Sequence, residues 1–443
     1  MVKNAAWLVG IQVLRAVISL VISILTARYL GPSDFGLINY AASIVAFVTP
    51  VMYLGLNGVL VQELVLTPEK EGEILGTAIT LSFISSFFCI GGVVAFTLIA
   101  NAGETVTIIV CALYSVLLIF QSVEMIIYWF QAKLLSKLSS IASFVAYFIV
   151  SLYKVFLLVT GKGVYWFAVS NAIDYLLLAI FLFIIYKKQG GGRLSFSSER
   201  AKNMLRKSKY YILSNIMITV FAQTDRIMLK LMIDDAATGY YSAAATCAGM
   251  TGFVFTAIID SLRPYIFEKK TESEDAYENS IICLYGIVIY ISLIQSIVFT
   301  AAAPLFIRLL YGGDYSPSIS VLRIINWYCT FSYLGGARDI WILAEGKQKY
   351  LILINLVGAV INVVLNYFLI PNLQASGAAI ATVITQFAIN IVFVSIFKPT
   401  RRNGLLQLKA LNPKYIFNFF KNKTETQSSR SISPLLQTNQ AYL

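Results

Sequence analysis

Apolar runs of about 20 residues follow one another along this chain, separated by short stretches where Gly, Pro, Asn, Asp, Lys and Arg gather. A run of that length crosses the hydrocarbon core of a bilayer as a helix, because a backbone surrounded by lipid must pair its own N–H and C=O groups. The pattern predicts spans at 5–29, 35–60, 75–100, 105–130, 138–160, 164–186, 210–232, 239–262, 279–302, 318–343, 349–370 and 376–397. The expected fold is therefore an all-α polytopic membrane protein with about 12 transmembrane helices. The first run is too long for the apolar core of a cleaved leader and lacks a small-residue cleavage site, so it is expected to stay as an anchor and first span.

The polar intervals divide the chain. The longest, 187–209, holds Gly190-Gly191-Gly192 and eight basic residues. It separates an N-terminal six-helix lobe at 1–186 from a C-terminal six-helix lobe at 210–398, and 399–443 follows as a polar tail. Composition leaves most of that tail without the means to build a packed core, although YIFNFFKN at 414–421 has the character of a segment lying at the membrane surface. A repeat is implied by GLINYAAS at 36–43, which aligns at an offset of 203 with GYYSAAAT at 239–246. Further along, Lys133, Tyr153, Gly163 and Val169 match Lys347, Tyr367, Gly377 and Val383 at an offset of 214. With an even number of spans in each half, the halves share one orientation and are related by an axis along the membrane normal.

Alternate connections carry 25 Lys and Arg residues, against Arg28, Lys162 and Arg308 on the opposite side, which predicts both termini in the cytoplasm. This asymmetry accounts for the net charge of +12 without nucleic acid, since membrane lipid is the nearer partner for basic residues beside spans. Cys89, Cys111, Cys247, Cys283 and Cys329 all lie inside apolar runs with no CxxC pair, as buried small side chains do. The chain contains no histidine, so imidazole metal sites, His-based triads and His proton relays are excluded. No catalytic residue, resident metal or cofactor is expected.

Eleven ionisable residues sit inside the spans: Arg15, Lys154, Arg226, Lys230, Arg323 and Arg338, with Glu124, Asp174, Asp225, Asp260 and Asp339. Each would cost about 2.5–3.5 kcal/mol if it faced lipid at mid-membrane, so the set must face water, protein or one another. Arg15 lies near the midplane of the first span, where reaching either surface is hardest, and either lines a passage or pairs with an acid such as Asp174. Lys154 and Asp174 occupy neighbouring antiparallel spans and are placed to pair. Asp225 and Arg226, being consecutive, point about 100° apart, and Lys230 shares the Arg226 face one turn on. Arg338-Asp339 is expected to anchor at the inner interface, Arg323 to reach outward and Asp260 to be hydrated. Trp and Tyr pairs at span ends, such as Tyr128-Trp129 and Trp327-Tyr328, suit an aromatic belt, with sugar stacking open to any that face a cavity. Pro50, Pro304, Gly55/Gly58 and Gly249/Gly252 are hinge candidates.

Spans 1 and 2 are joined by ARYLGPSDFG at 27–36, in which Gly31-Pro32 stops one helix and Ser33 or Asp34 can cap the next. An arginine in the first span followed by ARYLGPSDFGLINYAASI resembles the start of the Wzx-type (O-antigen) polysaccharide flippases of the multidrug/oligosaccharidyl-lipid/polysaccharide exporter superfamily. The resemblance extends over the chain in length, span count and two-lobed repeat, and its sharpest motif lies within 15–46. It implies two six-helix lobes around a central cavity open alternately to each face. The implied activity is transfer of an oligosaccharide linked to undecaprenyl pyrophosphate from the inner to the outer leaflet of the bacterial inner membrane. A polysaccharide polymerase or initiating transferase is the implied protein partner. Arginine suits the diphosphate because its planar donors fork onto oxygen while staying charged. The expected substrate-binding residues are Arg15, Lys154, Arg226 and Lys230, with Asp174 and Asp225 as candidate ion-coupling sites. The competing readings are a drug/cation antiporter of the same superfamily, which would favour an acidic cavity, and a membrane glycosyltransferase or polymerase, which would need a larger extramembrane site.

Overall fold

A computed structural model describes residues 2–415, and among them every regular element is helical. α1 (Val2–Met52) carries the first two expected spans, broken at Gly31, whose φ of 73° and ψ of 175° leave the helix. Glycine takes that conformation without a Cβ clash, and Pro32 resumes the helix with its φ already set. The chain turns again after Pro50, where Leu54 and Gly55 both have positive φ, and continues through α2 (Leu60–Leu66) into α3 (Glu71–Ala100).

The expected span 105–130 is segmented into α4 (Thr105–Ser115), α5 (Leu117–Gln121), a 3₁₀ turn at Ser122–Met125 and α6 (Ile126–Ala132). The tighter turn carries Glu124. Then come α7 (Ser136–Val159), α8 (Val164–Lys188) and α9 (Ser198–Met232), the last begun by Ser197, whose hydroxyl accepts from the Arg200 N–H. α10 (Asp235–Gly249) ends and α11 (Gly252–Glu272) begins at the paired glycines marked as a hinge. α12 (Glu274–Leu310), α13 (Ser318–Ala344) and α14 (Lys349–Phe387) follow, α14 leaving helical geometry at Gln374, between the last two expected spans. A π-helical turn at Ala388–Phe393, α15 (Val394–Ile396) and α16 (Arg401–Ala410) complete the described chain.

Every expected span coincides with a helical segment. Among the described residues seven helices are long and apolar enough to cross a membrane, or eight if Asp235–Gly249 and Gly252–Glu272, bent by 41°, count as one span, and Gly10–Met52 and Lys349–Ile396 each hold most of two expected spans. α9 and α13 are not among the seven. They are the helices that carry Asp225, Arg226 and Lys230, and Arg323, Arg338 and Asp339.

The described residues group into two compact units that cut across the chain order. The first takes those within Met1–Cys247, Ala303–Leu322 and Ala359–Ala381; the second takes those within Ala248–Ala302, Arg323–Gly358 and Thr382–Leu443. In the first unit the two repeat segments meet. A Cβ on Gly36 would lie 1.8 Å from the Asp235 carbonyl oxygen, and one on Gly239 would lie 2.0 Å from the Pro32 carbonyl oxygen. Small residues at such crossings bring backbones into contact where lipid gives no hydrophobic drive for helix association. Ala41 and Ala244, also matched in the repeat, are fully buried. The second unit has its own core around Phe255, Tyr277, Tyr285 and Trp341.

The start of the polar tail is more ordered than its composition suggests. α16 buries Asn403, Leu406, Gln407 and Ala410, and the Asn403 amide donates to the Tyr285 hydroxyl, so a polar face is held by specific bonds within the second unit. Of the proposed surface segment 414–421, all but the first two residues lie outside the described residues.

Candidate functional site

A cleft of about 460 Å³ opens within the first unit between the second limb of α1, the α4–α5 segment, α8 and the middle of α9. The end of α1 brings Thr49 to it, the turn that follows brings Tyr53, the 3₁₀ turn Leu56–Gly58 brings Asn57, and α4, α5 and α8 bring Tyr114, Gln121 and Tyr175. α9 supplies Asn215, Thr219 and Gln223, which recur every fourth residue and so form one polar stripe along a helix. Among the described residues that line the cleft there is no Lys, Arg, Asp or Glu. The amide oxygens of Asn57 and Gln121 are buried and accept no hydrogen bond among the described residues. Three phenols, carboxamides and two threonine hydroxyls make this a neutral wall rich in donors and acceptors, with aromatic faces between them.

The charged residues stand behind that wall. The Tyr53 hydroxyl donates to Glu124 Oε2 at 2.6 Å, linking the cleft to a buried carboxylate. Arg15, half-buried, lies with its guanidinium carbon 5.2 Å from the centre of the Tyr147 ring, and its charge acts on both Glu124 and Asp174. A cation held over an aromatic face in this way keeps its donors free for other partners. Lys154 donates to Asn171 Oδ1 at 3.2 Å, with Asp174 in electrostatic range and no ion pair within 4 Å among the described residues. Asn171 therefore takes the contact that the sequence suggested for Asp174.

On α9 the consecutive pair separates as helical geometry requires. Asp225 is 5% exposed and accepts from the Tyr241 hydroxyl, from Asn362 Nδ2 at 3.1 Å and from Asn366 Nδ2 at 2.6 Å. Arg226 reaches the same stretch of α10 from another angle, its guanidinium carbon 5.9 Å from the centre of the Tyr241 ring, and donates to Gln223 Oε1 at 3.3 Å and to Ser242 Oγ at 3.2 Å. Since Gln223 lines the cleft, Arg226 is one bond removed from it. Lys230, 7% exposed, lies 2.7 Å from Glu104 Oε2 and 2.7 Å from Asp235 Oδ2, so two carboxylates meet its charge. Glu104 lies in the short connection before α4. Burial opposes its ionisation, but hydrogen bonds from Lys230 and Thr107 outweigh that and hold its pKa below the ordinary value of 4.5.

In the second unit the pair expected to anchor at the interface divides, Asp339 being exposed and Arg338 buried. Arg338 is 4% exposed and donates to Asn390 Oδ1 at 2.7 Å and to Asp339 Oδ1 at 2.8 Å. Asn390 sits in the π-helical turn and donates in turn to Gln386 Oε1 at 2.6 Å. Gly335 makes room for this amide, since a Cβ there would lie 2.6 Å from Asn390 Oδ1. The buried cation is stable because its donors have fixed acceptors, an arrangement that consecutive charges in a sequence do not announce. Asp260 is exposed and paired with Arg263 at 2.8 Å, as expected of a hydrated position, and Arg323 is exposed.

Intramembrane charge does not mark the cleft, because its lining is neutral. The signal was present in the four-residue spacing of Asn215, Thr219 and Gln223 inside an apolar run. Among the described residues no group of three or more Cys, Asp or Glu is arranged to hold a metal ion.

Comparison with known proteins agrees with this architecture. The family model described as polysaccharide biosynthesis protein matches residues 1–270. A capsular polysaccharide biosynthesis protein, CapF of Staphylococcus aureus, is 23% identical over 414 residues, covering 90% of this chain and 99% of that protein. Among solved structures, the lipid II flippase MurJ in an inward closed conformation is similar with a TM-score of 0.73 at 12% identity, over 93% of this chain and 91% of that one. An inward-facing multidrug resistance MATE family transporter of the MOP superfamily has a TM-score of 0.63 at 15% identity, over 89% of this chain and 96% of that one. The fold is thus shared with multi-pass membrane transporters and a flippase. With its arginine-bearing first span, the ARYLGPSDFG hairpin and a family match over more than half its length, the chain belongs to the polysaccharide biosynthesis protein family.

Proposed function

We propose that this protein carries an oligosaccharide linked to undecaprenyl pyrophosphate from the cytoplasmic to the outer leaflet of the bacterial inner membrane by alternating access, with both termini in the cytoplasm. The observation that carries this reading is the cleft lining: tyrosines, amides and hydroxyls with no ionised side chain among them. Hydroxyl-rich sugars exchange hydrogen bonds with water for bonds to such a wall and stack on its rings, at little net cost. The unpartnered Asn57 and Gln121 oxygens are acceptors for sugar hydroxyls. Arg15 and Arg226, standing next to this wall, hold the anionic diphosphate. Lys154, bonded to the neutral Asn171, adds to the positive field around it, whereas the charge of Lys230 is already met by Glu104 and Asp235. The attraction is shared with Glu124 and Asp174, which keeps binding moderate enough for release.

Coupling to an ion or to membrane potential supplies direction, since one charge crossing 100 mV gains about 2.3 kcal/mol. Asp225 is the leading coupling group: its carboxylate faces two amides, and Asn366 Oδ1 beside it accepts no bond among the described residues. Asp174 is the second candidate. A polymerase or initiating transferase is the protein partner in this reading. The drug/cation antiporter alternative is disfavoured because no carboxylate lines the cleft.

The test is transport of labelled lipid-linked oligosaccharide in vesicles containing the purified protein. Wild type should move it, and Arg15→Ala should lower the rate at least about tenfold, the loss expected for one charge-assisted contact, while inserting normally. Unchanged transport by that variant removes Arg15 from the mechanism. Sugar polymerisation without transport would replace the reading with an enzyme.

A further inference from the structure

A second cleft, of about 430 Å³, lies where α3 and α9 begin, and nothing in the proposed transport cycle uses it. Its walls are the 3₁₀ turn Pro68–Lys70, the first turn of α3 and residues 197–206. We propose that this cleft is a binding site for a phosphate-ester headgroup, that of an anionic phospholipid of the inner leaflet.

The walls are firmly held. Ser195 N–H donates to the Gly72 carbonyl at 3.2 Å and Ser197 N–H to Thr77 Oγ1 at 3.0 Å. The segment lies so close to α3 that a Cβ on Gly72 would sit 2.3 Å from the Arg193 carbonyl oxygen. Arg200 is fixed to Glu73 at 3.0 Å and lies 3.9 Å from Glu63, which balances its charge. What remains at the cleft is unbalanced: Lys70, Lys202 and Arg206 form no ion pair among the described residues. Lys202 and Arg206 are one helical turn apart on the same face, where like charges repel unless an anion lies between them. Glu199 is the one carboxylate in the cleft outside an ion pair, so three positive charges face one negative.

Depth identifies the anion. The apolar run of α9 begins at about residue 210, so at 1.5 Å per residue Arg206 and Lys202 lie about 6 and 12 Å outside the hydrocarbon edge. Lys70 stands a few residues before the apolar run of α3. The headgroup layer occupies about 5–7.5 Å on each side of the core, so Arg206 stands within it and Lys202 one helical turn beyond, within reach of its outer edge through a long side chain. The concentration of basic residues in the 187–209 connection favours the inner leaflet for this end. A fixed basic cleft at phosphate depth is matched by a phospholipid headgroup, whose glycerol hydroxyls can donate to Glu199 and Asn203. α9 begins in this cleft and continues to line the central one, so the headgroup would hold the base of a helix that shapes the passage.

The full-length protein in neutral detergent should bind short-chain phosphatidylglycerol in preference to phosphatidylcholine, read as bound lipid by native mass spectrometry. Lys202→Gln/Arg206→Gln should weaken this about thirtyfold, at roughly a factor of five per basic residue. Lys70→Gln alone should weaken it about fivefold on the same basis, and gives a second reading should the double variant express poorly. Arg401→Gln/Lys409→Gln, removing exposed charges of α16, should leave it unchanged. Inorganic phosphate is the competing probe: displacement of the lipid at millimolar levels means that phosphate chemistry alone suffices, and no displacement assigns the site to a headgroup presented by the membrane. Equal loss in the α16 variant, or none in the cleft variants, would overturn the proposal. Because the readout is equilibrium binding, it stands apart from whether the protein moves a lipid-linked sugar.

Discussion

The central cleft of the first unit and the Arg338 cluster of the second solve the same problem in opposite ways. Both place polar side chains among apolar helices. Around Arg338 every strong donor has an assigned acceptor, the glycine at 335 clears space for the Asn390 amide, and of the Arg338, Asp339, Gln386 and Asn390 side chains only Asp339 reaches the surface. Along the cleft the polar groups are neutral, line an opening of about 460 Å³ and leave two amide oxygens unpartnered. A satisfied polar group in a membrane protein is a fastener, and an unsatisfied one beside an opening is a surface awaiting cargo. Formal charge does not make this distinction; the fully charged cluster is the closed one.

The contrast can be broken most sharply at the fastener. Arg338→Met should destabilise the protein by about 3 kcal/mol, the penalty for stranding buried partners, read by denaturant unfolding in detergent. If that variant kept its stability and lost transport instead, the second cluster would belong with the first. Next in size, Asn215→Leu/Gln223→Leu should cut transport on the order of tenfold while moving stability by no more than about 0.5 kcal/mol. A large loss of stability there would show that the stripe is a fastener too. The smallest effect is expected at the Lys230–Glu104–Asp235 group, which is partly exposed and intermediate between the two. The Glu104 pKa is lowered in the folded state, so its contribution is present above the ordinary carboxylate value near 4.5 and fades as pH falls below it. Melting temperature should therefore drop between pH 5 and pH 3 less steeply in Glu104→Gln than in wild type, at roughly the level expected of a partly solvated pair.

The positions of the helices were legible in the sequence because lipid imposes one rule on every spanning segment: twenty apolar residues, backbone paired within. The break at Gly31 was legible for a similarly local reason, since Gly-Pro stops one helix and starts the next. Which polar residues face one another was not. Lys154 meets Asn171 rather than Asp174, and Asp225 finds its amides at 362 and 366, more than a hundred residues away, where helix crossing decides contact. The neutral cleft is not marked by charge, and amides and tyrosines inside apolar runs stand out only through the four-residue spacing of Asn215, Thr219 and Gln223. Arg338 shows the converse, a charge near a span end whose burial depends on an amide from another helix.

The meeting of Gly36 with Asp235 and of Gly239 with Pro32 has a mechanical corollary. Where main chain abuts main chain there is no rotamer to swing aside and no soft layer to compress, so the two segments can only be seated or parted. A passage whose closure relied on that seam would latch rather than squeeze, and one added methyl group at either glycine would wedge the latch ajar.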